Sequence, residues 1–113
     1  RRALPPALRL AVPLTRGLLY ADLFARWAAP VVVVARTGLG TINHSLLTLE
    51  ALRARGVPVL GLAFVGEANA DNEATICAMG RAKRLGRLPI LPEITPAALA
   101  AAFAAAFDPE DFA

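Results

Sequence analysis

Apolar residues recur along the chain at two spacings, and each spacing predicts an element. Within Leu18–Ala28, Leu19, Leu23, Phe24 and Trp27 fall on the stripe of a short helix, which Pro30 ends. Val31–Ala35 is an unbroken β-branched run, the pattern of a strand covered on both faces. Arg36–Gly40 (RTGLG) is a glycine-containing turn, and a helix follows to about Arg55 with Ile42, Leu46, Leu49 and Leu52 on one side. Gly56 is placed to close that helix, with Pro58 just beyond. Val59–Val65 is a second buried strand. Strand, helix and strand in this order form a βαβ unit, whose strands should be parallel with a right-handed crossover.

The second half is less regular. Asp71 is placed to cap a helix running to Ala78 or Met79, and Leu85–Leu88 makes a short third strand. Thr95-Pro96 reads as N-cap and first helical residue. It opens Ala97–Phe107, where Leu99, Phe103 and Phe107 recur at i, i+4 and i+8, and Phe103 and Phe107 read as core. Residues 1–17 read as irregular, with Leu8–Val12 one more possible strand, and the tail 108–113 is expected to fray. The whole is a single α/β domain with a parallel sheet and flanking helices in three layers, too few strands for a complete doubly wound sheet.

Composition narrows the classes. Of 113 residues 57% are hydrophobic types, which excludes a disordered chain. A single cysteine, Cys77, excludes a disulfide framework, and a single histidine, His44, leaves little room for a histidine-based triad or metal centre. No apolar run approaches the ~18–20 residues that span a bilayer. Arg1-Arg2 is followed by Ala3-Leu4-Pro5-Pro6, which breaks any signal-peptide core, so the cytoplasm and no membrane are expected. The net charge of +3 is carried by 11 Arg and 1 Lys, and the one basic cluster, Arg81–Arg87, has no interleaved aromatics. Nucleic acid is therefore not an expected partner.

Ligands of open α/β sheets bind beyond the carboxyl ends of the strands. Here those ends are Arg36–Asn43, Gly66–Asn72 and Pro89–Glu93. In the first, Gly38 and Gly40 permit a tight turn into Thr41-Ile42-Asn43-His44, and a helix start of this kind is a ready anion site. Spacing alone equally allows a plain βα loop in which Thr and Asn cap the helix. There is no third glycine of a dinucleotide fingerprint, and no G-x-x-x-x-G-K-[ST] among these residues. Asp71, Asn72 and Glu73 read as helix capping with acids in the first turn, and Cys77 as a small buried apolar residue.

The stretch VVVVARTGLGTINHSLLTLEAL, Val31–Leu52, closely resembles dethiobiotin synthetases. The likeness continues through Arg53–Gly61, Gly66-Glu67, Asp71–Glu73 and Leu85–Pro89, and Val12-Pro13-Leu14 resembles the V-P-L that follows the family's E-G-A-G-G loop. It covers about residues 8–105 and corresponds to the C-terminal portion of that fold, a P-loop-type, Rossmann-like α/β/α sheet. The resemblance implies a homodimer that uses ATP and Mg²⁺ to close the ureido ring of 7,8-diaminopelargonate in biotin biosynthesis. A carbamate forms with CO₂, attacks the ATP γ-phosphate, and the mixed anhydride closes to a cyclic urea.

Carried over by residue, the resemblance assigns Gly40, Thr41, Ile42 and Asn43 to the helix start that holds the substrate carboxylate across the dimer interface. It assigns Pro89, Leu91, Pro92 and Glu93 to the segment that wraps adenine. The chain departs from the pattern at Val65, which stands where the family has an adenine-reading Asn. It departs also at Pro5, Pro6, Leu8 and Arg9, which stand in the E-G-A-G-G loop. The sole lysine, Lys83, does not replace the P-loop cation. The expectation is a chain that is inactive by itself and has no catalytic residue of its own. The alternative is a non-catalytic remnant that keeps a dimerisation helix and a carboxylate-binding turn. His44 reads as a capping or dimer-contact residue.

Overall fold

The computed structural model describes residues 13–15 and 18–113. The possible strand at Leu8–Val12 and the positions of the E-G-A-G-G loop lie outside the described residues. Short strands β1 (Pro13–Thr15) and β2 (Leu18–Leu19) pair antiparallel and lead directly into α1 (Tyr20–Trp27). Leu18 and Leu19, expected in the helix, are therefore strand residues, and Pro13–Thr15 is regular where an irregular segment was expected.

The main sheet is built from β3 (Val31–Arg36), β4 (Val59–Val65) and β5 (Arg84–Leu88), parallel and in that spatial order. Helix α2 (Thr41–Ala54) crosses from β3 to β4, and α3 (Ala70–Gly80) from β4 to β5. Helix α4 (Pro96–Ala106) and a 3₁₀ turn (Pro109–Phe112) follow. This is the expected three-strand parallel sheet with helices on both faces. No helix among the described residues is long and apolar enough to cross a membrane.

Alternation along the strands divides the apolar residues between two faces. On one face Val33, Ala35, Leu62 and Phe64 pack with Phe24 of α1, Leu49 and Leu52 of α2 and Ile76 of α3. On the other, Ala63 and Leu85 pack with Phe107, flanked by Val32, Leu88 and Ala106. Phe64, Leu49, Leu52, Leu62 and Ile76 are essentially inaccessible to water. Burying a side chain of this size contributes about 1.5–3 kcal/mol. The first face is the main core.

Helix ends follow local chemistry. At the end of α2, Gly56 has φ +71°, its N–H donates to the Arg53 carbonyl and that of Val57 to the Leu52 carbonyl. That is a Schellman closure, and it tucks Val57 into the core. Thr95 caps α4 as expected, its hydroxyl accepting from the Ala98 N–H at 3.1 Å. Helix α3 is capped by Asn69 and not by Asp71: the Asn69 side chain accepts from the Asn72 N–H at 3.2 Å. Glu73 fixes that choice by reaching back to the Asn69 N–H, also at 3.2 Å.

One expectation for the C-terminal part is overturned. Phe107 is buried, but Phe103 is 40% exposed and stacks on Phe107 from outside, with ring centroids 4.8 Å apart. The tail, expected to fray, forms a 3₁₀ turn in which Phe112 packs on both rings and Asp111 pairs with Lys83. Gly86 makes this packing possible: a Cβ there would overlap the Ala106 carbonyl oxygen and lie 2.8 Å from the Phe107 ring.

Candidate functional site

The parallel sheet aims the carboxyl ends of β3, β4 and β5 the same way, so the three loops meet on one side. Main-chain bonds join them there. The Thr37 N–H donates to the Val65 carbonyl at 3.1 Å, and the Gly66 N–H to the Leu88 carbonyl at 3.0 Å. A cleft of about 700 Å³ opens over this end, lined by Thr37–Asn43, Leu46, Asn69 and Asn72. All four residues assigned to carboxylate holding, Gly40, Thr41, Ile42 and Asn43, line it.

The turn into α2 has no side-chain cap. Gly40 occupies the N-cap position at φ +82°, a left-handed conformation that glycine adopts without strain. Its carbonyl accepts the His44 N–H at 3.1 Å, and the Thr41 N–H donates to the Gly38 carbonyl at 3.3 Å. The N–H groups of Ile42 and Asn43 make no such bond among the described residues and face the open helix end. Thr41 does not cap: it is buried, with its hydroxyl 3.5 Å from that of Ser45. Two free donors at the positive end of a 14-residue helix form an anion-binding arrangement. Neither Thr41 nor Asn43 caps the helix, so the capping part of the plain-loop reading does not hold.

Pro89, Leu91, Pro92 and Glu93 follow β5 on the far side of β4 from this turn. Pro89 lines a separate groove of about 370 Å³ with Arg84, Arg87, Ala102, Ala105 and Ala106. Ile90 and Ile94 are strongly exposed, at 70% and 81%. The two assigned groups thus share the loop end of the sheet but not a cavity. Val65, at the end of β4, presents methyl groups where an amide would be needed to pair with a base edge. Among the described residues no three His, Cys, Asp or Glu side chains converge on a point where a metal would sit.

The remaining chemistry is structural. Glu73 is buried and satisfied by Arg84, at 2.9 Å from Nη2 and 3.1 Å from Nε, and by the Asn69 N–H. Burial pushes the Cys77 thiol up, an effect only partly opposed by the nearby Arg84. The basic run Arg81–Arg87 is largely engaged within the fold: Lys83 pairs with Asp111, Arg84 with Glu73, and Arg87 donates to the Gly66 carbonyl. His44 is exposed and does not line the cleft. Sequence reasoning placed Gly66–Asn72 at the ligand end of the sheet without singling out Asn69 and Asn72 as cleft residues. Their signal was an Asn placed just ahead of the acids of a first helical turn.

The AAA domain family model matches residues 7–98. Among curated proteins, the ATP-dependent dethiobiotin synthetase BioD of Novosphingobium aromaticivorans is 69% identical over 102 residues, 90% of this chain and 50% of that protein. That of Rhizorhabdus wittichii is 64% identical over 104 residues, 92% of this chain and 50% of the relative. That of Brucella ovis is 57% identical over 104 residues, 92% of this chain and 49% of the relative. The chain spans about half the length of the curated relatives it matches.

Proposed function

The chain belongs to the P-loop-type AAA domain family, and from that membership we propose that it supplies the substrate-holding part of a dethiobiotin synthetase. In this reading the turn Gly40–Asn43 binds the carboxylate of 7,8-diaminopelargonate. The observation that carries it is the uncapped helix start, with the Ile42 and Asn43 N–H groups open toward the cleft. The reaction is ATP- and CO₂-dependent closure of the ureido ring, in the cytoplasm, by a homodimer in which the turn serves the partner's site.

ATP would rest against Pro89, Leu91, Pro92 and Glu93 through backbone and apolar contacts, because Val65 offers adenine no amide. The 113 residues alone are not expected to transfer phosphate. Lys83 enters β5 at the amino end of the sheet, a strand length of about 15 Å from the loop end, and is paired with Asp111. Lys83 therefore does not supply the cation at the γ-phosphate that the reaction requires.

Calorimetric titration of the chain with 7,8-diaminopelargonate tests the reading. Gly40→Val forces a β-branched residue into the left-handed region and so strains the turn, and Asn43→Ala strips polar lining from the cleft. Each should weaken binding by at least about tenfold, the equivalent of a lost charge-assisted hydrogen bond. Binding that survives both changes intact would remove the site. Growth of a biotin-requiring strain, with and without a co-expressed P-loop segment, then separates a partner-dependent enzyme from a remnant.

A further inference from the structure

The loop that follows β4 is held from two sides at one residue. Gly66 has φ +128°, and a Cβ built on it would stand 2.5 Å from the Thr37 hydroxyl, so its backbone lies against that side chain. Its N–H is bound to the Leu88 carbonyl at 3.0 Å, and its own carbonyl accepts from Arg87 Nη1 at 2.8 Å. Thr37 opens the turn that ends at Asn43 and lines the cleft with it. Arg87 is in no contact with that cleft. It lines the groove beside Pro89 instead.

We propose that Arg87 is a positioning residue for the carboxylate-holding turn: by gripping the Gly66 carbonyl it fixes the peptide on which Thr37 rests. The consequence for binding rests on the reading of Gly40–Asn43 given above. The N–H and the carbonyl of Gly66 belong to the two peptide units that flank it, and at a positive-φ glycine both units are fixed only when each is engaged. Leu88 holds the N–H of Gly66 and Arg87 the carbonyl. Released at the carbonyl, Gly66 would be free to shift against the Thr37 side chain that lies beside it. The displacement would pass to Gly38 and Gly40 through the Thr37 main chain, which is itself tied to Val65. Arg87 is the one cationic side chain seen to grip this loop among the described residues, and it comes from a different strand.

The test compares amide ¹H–¹⁵N spectra of the full 113-residue chain as wild type, Arg87→Ala, Arg87→Lys and Arg53→Ala. Arg53 grips the Gly80 and Arg81 carbonyls elsewhere in the fold and controls for the loss of a guanidinium–carbonyl contact. Arg87→Ala should shift or broaden the Thr37–Asn43 amides, Arg87→Lys should restore them in large part, and Arg53→Ala should leave them in place. Diaminopelargonate affinity should fall about tenfold in Arg87→Ala and recover in Arg87→Lys. Unmoved Thr37–Asn43 amides in Arg87→Ala overturn the proposal, as does unchanged affinity beside a wild type that binds. A wild type that fails to bind, with the amides still moving in Arg87→Ala, overturns the carboxylate reading and supports the positioning role.

Discussion

Glu73 is the one buried charged residue among the described side chains, and its environment explains why it is tolerated. Burying a carboxylate costs several kcal/mol unless it is paired and hydrogen-bonded. Here both oxygens are used, Oε1 by Arg84 and Oε2 by the Asn69 N–H. Arg84 is half exposed, so solvent screens its share, and the main-chain bond inside the fold is the less replaceable part. Glu73→Ala should lower unfolding stability by about 1–3 kcal/mol, the range for losing hydrogen bonds to a charged group. Glu73→Gln, which keeps an acceptor for Asn69, should lose less. Urea unfolding with an unchanged slope and a lowered midpoint checks this, and equal midpoints for all three proteins would contradict it.

At the scale of elements, the features legible in the sequence are those set by neighbours in the chain. The β-branched run Val31–Val34 is a strand because every residue in it favours one, and Ala35 and Arg36 extend it. Gly56 closes α2 and Thr95 opens α4 by contacts within four residues. What the chain pattern hides depends on distant partners. Asp71 and Asn69 are both good caps, and Asn69 takes the role because Arg84 holds Glu73 where it reaches back. Phe103 and Phe107 share one helical spacing, yet only Phe107 meets the gap over Gly86. The carboxylate turn is legible from Gly38, Gly40 and its resemblance, whereas the Arg87–Gly66 contact spans 21 residues and leaves no local mark. The C-terminal turn is of the same hidden kind. Its ion pair is exposed and salt-screened, while Phe112 lies within 5.6 Å and 6.2 Å of two rings, so packing should dominate. Phe112→Ala should raise fast backbone motion over 109–113, measured by ¹⁵N relaxation, more than Lys83→Ala does. The hydrogen bond and charge of Asp111 raise the Lys83 value above the ordinary lysine range. The small contribution of the pair is thus fully present below that range and is lost as pH climbs through the raised value.

Over the whole molecule, the two faces of the sheet are unequally covered, and this should set an order of local stability. Helices α1, α2 and α3 share the larger core, with nine buried residues, whereas the opposite cluster holds three. Helix α4 has no buried residue of its own and is attached through Ala106 and Phe107 at its end. Its alanines favour helix but remove little apolar surface from water. Val34, on the same side, remains 64% exposed. A segment with few buried contacts opens without unfolding the rest. Native-state hydrogen exchange should therefore show the amides of β3, β4 and the middle of α2 exchanging only through global unfolding. Those of α4 should exchange through a smaller opening, with much weaker dependence on denaturant. Phe107→Ala should speed α4 exchange further, because it removes the side chain that pins the helix over Gly86, while leaving the α2 amides close to their original protection until global stability itself falls. Equal protection of α4 and β4, with equal denaturant dependence, would mean that the thin second cluster is bound into one cooperative unit with the main core despite its size.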